Sequence, residues 1–498
     1  MKKSTWLLLG IFALSLCFRL FFSFQTSELS YSDSYYVLRQ VESIMESGRP
    51  LFNDPLSYGG RKSIFVPFYY YFLAAFSFLM KTSIVLKILP AILSSTLVFA
   101  TYLLSKELTK SQDAAIFSSF LSAFVPVILE VTVNSATEFS FLLPGTLFLM
   151  YFVIRISSKP EDLKHLVGFM LLFLALSLSS SYTVIFIIGI LFYLVVSKLE
   201  GLLINRAELE LALFSTFLFF WIQLLFYKRA LFFHGPAIIW QNVPSEVLRT
   251  YFQNFNVLEA VYKIGILPFL FGVYAIYHNF HTKRKNVFLL IGFTFSAGIL
   301  LWLRLIELRA GLLFLGCFLV VIFSTFFKNF FIYVAKTKLS RFKTHLIWLF
   351  ILLFFFSSVV PSAIYAMNAV RTAPDRDVVL ALEWIKQNTH PDSVILSSSG
   401  AGHIVTAIAK RKNTMDSNFI LIDDVNKRFS DIRDIYTTPY KTTAITLLNA
   451  YSVDYILFSS YEKTAFGAER ISYVDDECFR VVYDSHVKVY QSLCEMSQ

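Results

Sequence analysis

The sequence predicts a polytopic α-helical membrane protein that carries a soluble α/β domain at its C-terminal end. Of the 498 residues, 56% are hydrophobic and 55 are phenylalanine, and the mean hydropathy is +0.61. Soluble globular proteins contain fewer apolar and more charged residues than this chain. Long apolar runs recur as far as residue 366 and stop near Arg371, which predicts a membrane domain over residues 1–366 and a second domain over residues 371–498.

Each long apolar run predicts one membrane-spanning helix, because about 17 to 22 residues cross a hydrocarbon core of about 30 Å. The runs lie at residues 6–24, 64–80, 84–104, 113–129, 138–156, 166–197, 209–227, 260–277, 287–303, 309–327 and 345–366. The longest run, 166–197, is long enough to bend back as two helices. We therefore expect about eleven to thirteen spans.

The basic residues predict the orientation of the chain. Lys2 and Lys3 precede the first run, which lacks a small-x-small cleavage site and is expected to remain as a signal anchor. The positive-inside rule then places the N-terminus and the basic cluster 281–285 in the cytoplasm and the segment after the first run outside. The net charge of +10 suits loops near anionic membrane lipid, and no nucleic-acid module is recognised, so no nucleic acid is expected as a partner.

Residues 371–498 predict a small α/β domain. Residues 377–387 have helical spacing of apolar residues, and 393–397 and 454–458 are typical of buried strands. Alternation of strands and helices is the pattern of an α/β domain. The last two alternating segments, 479–483 and 487–493, predict a closing hairpin.

The four cysteines divide into two kinds. Cys17 and Cys317 lie within apolar runs and are expected to be inert. Cys478 and Cys494 flank the predicted hairpin, so a disulfide is expected if the domain lies outside the cytoplasm, and two free thiols are expected otherwise.

The most informative polar stretch follows the first apolar run. It contains Ser32-Asp33-Ser34-Tyr35-Tyr36, then Gly48-Arg49-Pro50 and Asp54-Pro55, then an aromatic run over residues 65–71. This order resembles the first external loop of the oligosaccharyltransferase catalytic subunit and its relatives in the GT-C superfamily. The resemblance implies a glycosyltransferase in which Asp33 is catalytic and helps to hold a divalent metal ion, Mg or Mn. The alternative is that Asp33 only caps a helix starting near Ser34.

The resemblance implies two further metal-binding carboxylates. Glu138 takes the position of the first acid of the superfamily's acidic pair, whereas Ser140 replaces the second acid and so removes a ligand or a charge. In the loop over 227–260, Val243-Pro244-Ser245-Glu246 resembles the Ser-Glu motif, which implies a catalytic and metal-binding role for Glu246. The alternatives are that Glu138 caps the helix from residue 139 and that Ser245 and Glu246 only begin a helix.

Charged side chains near the start of the run at 309–327 predict a binding site, because charges within membrane segments usually face a cavity. The resemblance implies that Arg309, together with Arg304, binds the phosphate of a polyprenyl-phosphate-linked donor. A guanidinium stays charged and bonds two phosphate oxygens at once. The alternative pairs Glu307 with Arg304 at i to i+3 spacing and leaves Arg309 to extend toward the surface.

The acceptor-reading part of the resemblance fails. Residues 402–418 resemble the segment beside the motif Trp-Trp-Asp-Tyr-Gly, but Ser398-Ser399-Gly400-Ala401 stand where that motif should be. We therefore expect an acceptor other than a sequon asparagine, which leaves a glycan, a lipid or another protein site.

The sequence excludes several other chemistries, because it has no Gly-rich phosphate loop with Lys and no His-Glu-x-x-His or Gly-x-Ser-x-Gly motif. The prediction is an inverting transfer of a sugar or glycan from a polyprenyl-phosphate-linked donor on the extracytoplasmic face. The alternatives are a non-catalytic relative that binds or moves lipid-linked glycans, and a transporter. One conflict remains: three apolar runs separate Asp33 from Glu138, so a shared site requires that one run, 64–80 or 113–129, does not simply cross.

Overall fold

The structure is a computed structural model that describes residues 3–252, 256–282 and 284–494. Lys2 and Lys283, two of the predicted cytoplasmic markers, lie outside the described residues. Helices form the first part of the chain, and a mixed sheet with surrounding helices forms the last part. In the first part the helices are α1 (Lys3–Ser23), α2 (Ser32–Ser47), α3 (Phe68–Ser77), α4 (Thr82–Ser95), α5 (Leu97–Thr109), α6 (Gln112–Ala123), α7 (Pro126–Thr132), α8 (Phe139–Ser158), α9 (Leu163–Ser177), α10 (Val184–Leu199), α11 (Arg206–His234), α12 (Ser245–Phe252), α13 (Val257–Ile264), α14 (Ile266–Thr282), α15 (Lys285–Trp302), α16 (Leu308–Ala335), α17 (Lys343–Phe354) and α18 (Val360–Arg371).

Eight helical segments of the described chain are long and apolar enough to cross a membrane, and ten if each of two bent pairs counts as one span. The bent pairs are α6 with α7, at 47°, and α13 with α14, at 104°. Helix α9 is apolar but has only 15 residues. The predicted eleven to thirteen spans are too many by these criteria, and eleven is reached only if α9 also crosses.

The excess in the predicted number comes mainly from the run at 64–80. Only ten of its residues form a helix, α3, which at about 1.5 Å per residue is far too short to cross. Between Asp33 and Glu138 two segments are long and apolar enough to cross, residues 82–109 and the bent pair of α6 and α7, and the charge of Asp33 acts on Glu138. Both carboxylates emerge at the same end of the membrane domain, which resolves the conflict in the sequence.

Helix α16 lies at the centre of the membrane domain. Phe314, Phe318 and Phe323 on this helix are fully buried, whereas α11 presents Phe217 and Trp221 at its exposed surface. An all-round apolar helix is expected in the interior of a bundle, and exposed aromatic side chains on an apolar helix suit contact with lipid. Close helix packing without side-chain bulk occurs at α10 and α15, where a Cβ at Gly292 would lie 2.9 Å from Tyr193 Cα.

The second part of the chain is an α/β domain, as predicted. Its helices are α19 (Arg376–Asn388), the single turn α20 (Gly402–Ile404) that continues as one π-helical turn to residue 409, α21 (Val425–Thr437), α22 (Lys441–Ala450) and α23 (Ser460–Phe466). The strands β1 (Asn53–Asp54) and β2 (Arg61–Lys62) form a small ladder in the external loop after α2, and the domain's own strands are β3 (Val394–Leu396), β4 (Lys412–Asn413), β5 (Tyr455–Phe458), β6 (Phe479–Asp484) and β7 (Lys488–Ser492).

The five-stranded sheet has the order β4-β3-β5-β7-β6. Strand β3 pairs in parallel with β4 and β5, and β7 pairs antiparallel with β5 and β6. The hairpin of β6 and β7 forms where the sequence predicts it. A disulfide joins Cys478, just before β6, to Cys494, just after β7, with a Cα–Cα distance of 5.0 Å.

The α/β domain packs directly on the external elements of the membrane domain. Val41 on α2 and Leu73 on α3 share one buried apolar cluster with Leu382 on α19 and Val405. A contiguous core of this kind fixes two domains far more firmly than a polar interface. The α/β domain is therefore held against the end of the membrane domain from which Asp33 and Glu138 emerge.

Candidate active site

The segment that carries Asp33 is tied to the segment that carries Glu138. The Ser30 backbone N–H donates to the Asn134 carbonyl at 2.8 Å, and the Asn134 side chain donates to Ser30 Oγ at 2.9 Å. Asn134 itself has a φ of 53°, a left-handed conformation that asparagine tolerates better than most residues. These bonds place the start of α2 beside the start of α8.

Asp33 lies in the first turn of α2, which begins at Ser32. The residue at the N-cap position is Tyr31. The alternative in which Asp33 is the N-cap of a helix starting near Ser34 is therefore wrong, because the helix begins two residues earlier. A carboxylate in the first turn still interacts favourably with the helix dipole. The Asp33 side chain is exposed, and its Oδ1 accepts a hydrogen bond from Ser417 Oγ at 2.6 Å.

Glu138 and Glu307 lie just before the first turns of α8 and α16, and neither side chain caps its helix with a hydrogen bond. Burial raises the pKa of Glu138 to about 7, and the negative charges of Asp33 and Glu307 contribute to the increase. Burial and the charge of Asp33 also raise the pKa of Glu307, whereas Arg309 opposes the increase. Three carboxyl groups thus interact at one end of the membrane domain.

Ser140, at the position of the missing second acid, has no room for a solvated carboxylate. Ser140 is fully buried, its hydroxyl donates to the Thr137 carbonyl at 2.8 Å, and Tyr69 Oη lies 3.1 Å away. An ionised carboxylate there would be buried without a cation and would cost several kcal/mol. The third carboxyl group of the site comes instead from Glu307, which the sequence suggested only as an ion-pair partner.

Arg309 lies in the first turn of α16 and faces the same region. Its guanidinium carbon is 4.4 Å from the centre of the Tyr31 ring, a cation–π contact, and Nη2 is 3.4 Å from the Glu130 carbonyl oxygen. The Tyr31 hydroxyl donates to the same carbonyl at 2.8 Å. Arg309 Nε is buried and has no hydrogen-bond partner, so part of the guanidinium's donor capacity is unused.

Arg304 differs from the expectation for a helical residue. It lies in the turn between α15 and α16 with a φ of 56°, and its backbone carbonyl accepts a hydrogen bond from Trp240 Nε1 at 2.9 Å. The helical i to i+3 spacing assumed for an Arg304–Glu307 pair does not exist here, because residues 303–307 are not helical. The charge of Arg309 acts on Glu307 and lowers its pKa.

Glu246 lies in α12 and contacts the α/β domain. Its carboxylate forms a 2.7 Å ion pair with Arg433 on α21, and the Ser245 N–H donates to Asn426 Oδ1 at 2.8 Å. Asn242 in the same loop donates to the carbonyls of residues 419 and 422 at 3.0 Å. This loop therefore binds the α/β domain. Helix α12 begins at Ser245, as the alternative interpretation of Ser245 and Glu246 predicted.

The predicted metal ligands are not assembled. Within residues 3–252, 256–282 and 284–494, no group of three or more His, Cys, Asp or Glu side chains is placed to hold a metal ion. The Glu246 carboxylate is already paired with Arg433 at 2.7 Å, so a metal ion would have to displace that guanidinium. The side chains present do not fit a site made of Asp33, Glu138 and Glu246.

The arrangement still suits acid–base chemistry beside a phosphate. An exposed carboxylate that already accepts a hydroxyl hydrogen bond is placed to take a proton from an alcohol. A guanidinium with unused donors, partly buried beside an aromatic ring, is suited to a phosphate group. Asp33 and Arg309 both lie close enough to Glu307 for their charges to change its pKa, Asp33 upward and Arg309 downward.

Comparison with known proteins gives a sequence match to the central part of the membrane domain. Residues 65–227 match the family described as dolichyl-phosphate-mannose-protein mannosyltransferase. A curated relative, dolichyl-phosphooligosaccharide-protein glycotransferase 2 of Archaeoglobus fulgidus, is 30% identical over 185 residues, which are 35% of this chain and 31% of the relative. The matched segment thus spans about a third of that relative's length.

Solved structures match over most of the chain. The oligosaccharyltransferase AglB from Archaeoglobus fulgidus, in complex with an inhibitory peptide and a dolichol-phosphate, has a TM-score of 0.71 at 16% identity and covers 92% of this chain and 70% of its own. An oligosaccharyltransferase from Archaeoglobus fulgidus in complex with Zn and sulfate has a TM-score of 0.66 at 16% identity and covers 94% of this chain and 71% of its own. ArnT from Cupriavidus metallidurans bound to undecaprenyl phosphate has a TM-score of 0.57 at 12% identity over 100% of both chains.

Proposed function

We propose that this chain, which has the fold of the GT-C superfamily of membrane glycosyltransferases, transfers a sugar or glycan from a polyprenyl-phosphate-linked donor to an acceptor outside the cytoplasm. The observation that carries the proposal is the meeting of Asp33, Glu138, Glu307 and Arg309 at one end of the membrane domain. The two similar solved enzymes, which hold dolichol-phosphate and undecaprenyl phosphate, support a lipid phosphate as the shared part of the donor.

Asp33 and Arg309 have complementary roles in this proposal. Asp33 orients the acceptor hydroxyl and takes its proton as the oxygen attacks the anomeric carbon. The bond from that carbon to the phosphate oxygen breaks, and the departing phosphate keeps the electron pair. Arg309 stabilises the negative charge that develops on the phosphate. A single displacement of this kind inverts the anomeric configuration, and no step requires a metal ion.

The proposed acceptor is not a sequon asparagine. Among the residues that replace the acceptor-reading motif, Ser398 is buried, and its hydroxyl and its N–H donate to Glu462 Oε1 at 2.8 and 2.9 Å. This segment presents neither the aromatic side chains nor the carboxylate of that motif. We propose a hydroxyl-bearing acceptor, on a glycan, a lipid or another protein site.

We further propose that the N-terminus is cytoplasmic and that the α/β domain is extracytoplasmic. Basic residues concentrate in loops at the end of the membrane domain opposite Asp33, such as Lys159 between α8 and α9 and Lys338 and Arg341 between α16 and α17. This distribution is the one that the positive-inside rule describes. The disulfide between Cys478 and Cys494 supports an oxidising environment for the α/β domain.

The test is sugar transfer by purified protein in lipid from a panel of polyprenyl-phosphate-linked sugars, with Asp33→Ala compared with wild type. The matched control is Asp113→Ala, because Asp113 is also an exposed aspartate in the first turn of a helix, α6, at the other end of a membrane span. Transfer by the wild type and by Asp113→Ala, with loss of at least 100-fold in Asp33→Ala, is expected.

Equal activity of the two variants would contradict the assignment of Asp33. A wild-type protein that transfers no sugar from any donor would contradict the enzyme itself. If that protein binds the lipid-linked glycans, the non-catalytic relative becomes the better description, a reading that the loss of the acid at Ser140 favours. Movement of glycans across a vesicle membrane without transfer would favour a transporter.

A further inference from the structure

We propose that Ser417, in the α/β domain, is a positioning residue for Asp33 and makes the docking of that domain a requirement for transfer. The inference rests on the proposed function, because it assigns a role to a contact of the catalytic carboxylate. Ser417 Oγ donates to Asp33 Oδ1 at 2.6 Å. The two residues are 384 positions apart in the sequence, so only the docked arrangement of the two domains brings them together.

The hydroxyl of Ser417 is delivered by a segment that is firmly held through its neighbour Asp416. Asp416 is fully buried, accepts hydrogen bonds from Ser57 Oγ at 2.6 Å and the Asn418 N–H at 3.0 Å, and forms a 3.1 Å ion pair with Arg61. Ser57 and Arg61 belong to the external loop after α2. The membrane domain therefore binds the α/β domain through Asp416, the residue next to Ser417.

The ionised form of Asp416 is stabilised by its partners although the side chain is buried. Burial alone would raise the pKa of Asp416, but the charges of His403 and Arg61 and the hydrogen bonds from Ser57 and the Asn418 N–H hold it below the ordinary value. The side chains of Arg61 and Asp416 are only 6% and 0% exposed. A buried ion pair with additional hydrogen bonds has a defined geometry, because any departure leaves a charge without a partner.

Close backbone contact supports the same segment from the other side. A Cβ added at Gly402 would lie 2.0 Å from the Met415 carbonyl oxygen and 2.7 Å from Asp416 Cα. Only glycine permits that approach. Asn413 adds a hydrogen bond from Nδ2 to the Gly402 carbonyl at 2.9 Å. The backbone on both sides of Ser417 is thus fixed, and the hydroxyl has little freedom except rotation of its own side chain.

This rigidity gives Ser417 its role at Asp33. Asp33 is exposed, and an exposed carboxylate samples several rotamers unless a partner holds it. The hydrogen bond engages Oδ1, and in the proposed reaction Oδ2 takes the proton of the acceptor hydroxyl. A catalytic group held in its productive orientation accelerates the reaction without changing how tightly substrates bind.

The experiment compares Ser417→Ala and Ser417→Thr with wild type in the transfer assay, with separate titrations of donor and acceptor. Loss of one hydrogen bond to a carboxylate is expected to lower kcat by about tenfold or more in Ser417→Ala, with the KM for the donor unchanged. Ser417→Thr keeps the hydroxyl and is expected to recover most of the rate. Ser472→Ala, at an exposed serine elsewhere in the same domain, is the control and is expected to match wild type.

Four results would overturn the inference. Ser417→Ala with the wild-type kcat would show that the contact has no role, and the proposed function would stand. An equal loss in Ser417→Ala and Ser417→Thr would show that the hydroxyl is not what matters. An increased KM at unchanged kcat would assign Ser417 to substrate binding. A wild-type protein without transfer activity would overturn the proposed function together with the inference.

Discussion

Glu138→Gln is expected to stabilise the protein at pH 8 and to have almost no effect at pH 4.5. The pKa of Glu138 is raised from 4.5 to about 7 by burial and by the charges of Asp33 and Glu307. At about 1.36 kcal/mol for each pKa unit, the difference corresponds to about 3 kcal/mol. This value is an upper limit, because relaxation around the ionised group reduces the cost.

The direction follows from proton binding in the two states. Between pH 4.5 and about 7 the folded protein holds a proton on Glu138 that the unfolded chain has released. The contribution of Glu138 to the stability of the wild type therefore falls as the pH rises through this interval and is constant above it. Glutamine has the same shape and no ionisation, so the variant does not show this decrease.

The assay is the thermal unfolding temperature in detergent at half-unit steps from pH 4.5 to pH 8. The difference between Glu138→Gln and wild type is expected to grow with pH and to level off above about pH 7. Glu161→Gln, at an exposed glutamate between α8 and α9, is the matched control. A difference that is the same at pH 5 and at pH 8 would refute the reasoning.

The same assay tests the metal ion. Binding of Mg or Mn at this carboxylate requires loss of the Glu138 proton, so a bound metal would stabilise the wild type most at high pH and would not stabilise Glu138→Gln. The ligand set predicts no such stabilisation. If Mg or Mn stabilised the wild type but not Glu138→Gln, the metal site that the sequence predicted at Glu138 would be supported.

Three further changes have defined outcomes. Arg309→Lys keeps the charge but loses the planar donor fork, so the KM for the lipid-linked donor is expected to rise by about tenfold, as measured by donor titration. Cys478→Ser opens the loop to Cys494, with a sequence separation of 16, and is expected to cost about 3 kcal/mol, as measured by unfolding under non-reducing conditions. Asp416→Asn leaves the Arg61 charge buried without its partner and is expected to cost about 3 to 5 kcal/mol, as measured by faster hydrogen exchange over residues 413–420.

Much of the fold follows from local patterns that the sequence shows directly. Apolar runs define α1, α8 and α16, and the alternation around Ser485 defines the last hairpin, because hydrophobic length and period are properties of the chain itself. The run at 64–80 misled because composition does not show where a helix begins, and only ten of its residues became helical. The spacing of apolar residues therefore predicts the presence of helices better than it predicts which of them cross.

The candidate site was predictable only where a motif marked it. Asp33, Glu138 and Arg309 were found through resemblance, and each lies at the same end of the membrane domain. Glu246 fits the motif equally well by letter, yet Arg433, 187 residues later, occupies its carboxylate. Ser417 had no signal in the sequence at all. Pairings across such distances depend on how the domains dock, which no local pattern contains.

Glu307 supplies a third carboxyl group from α16 where Ser140 on α8 no longer does. Its charge contributes to the raised pKa of Glu138, so Glu307→Gln is expected to lower that pKa and to reduce the stability gained by Glu138→Gln at pH 8. A double-mutant cycle of the two substitutions measures this coupling, which is expected to differ from zero at pH 8 and to be close to zero at pH 4.5, where both groups are mostly protonated. Strict additivity at both pH values would mean that the two carboxyl groups do not share a site.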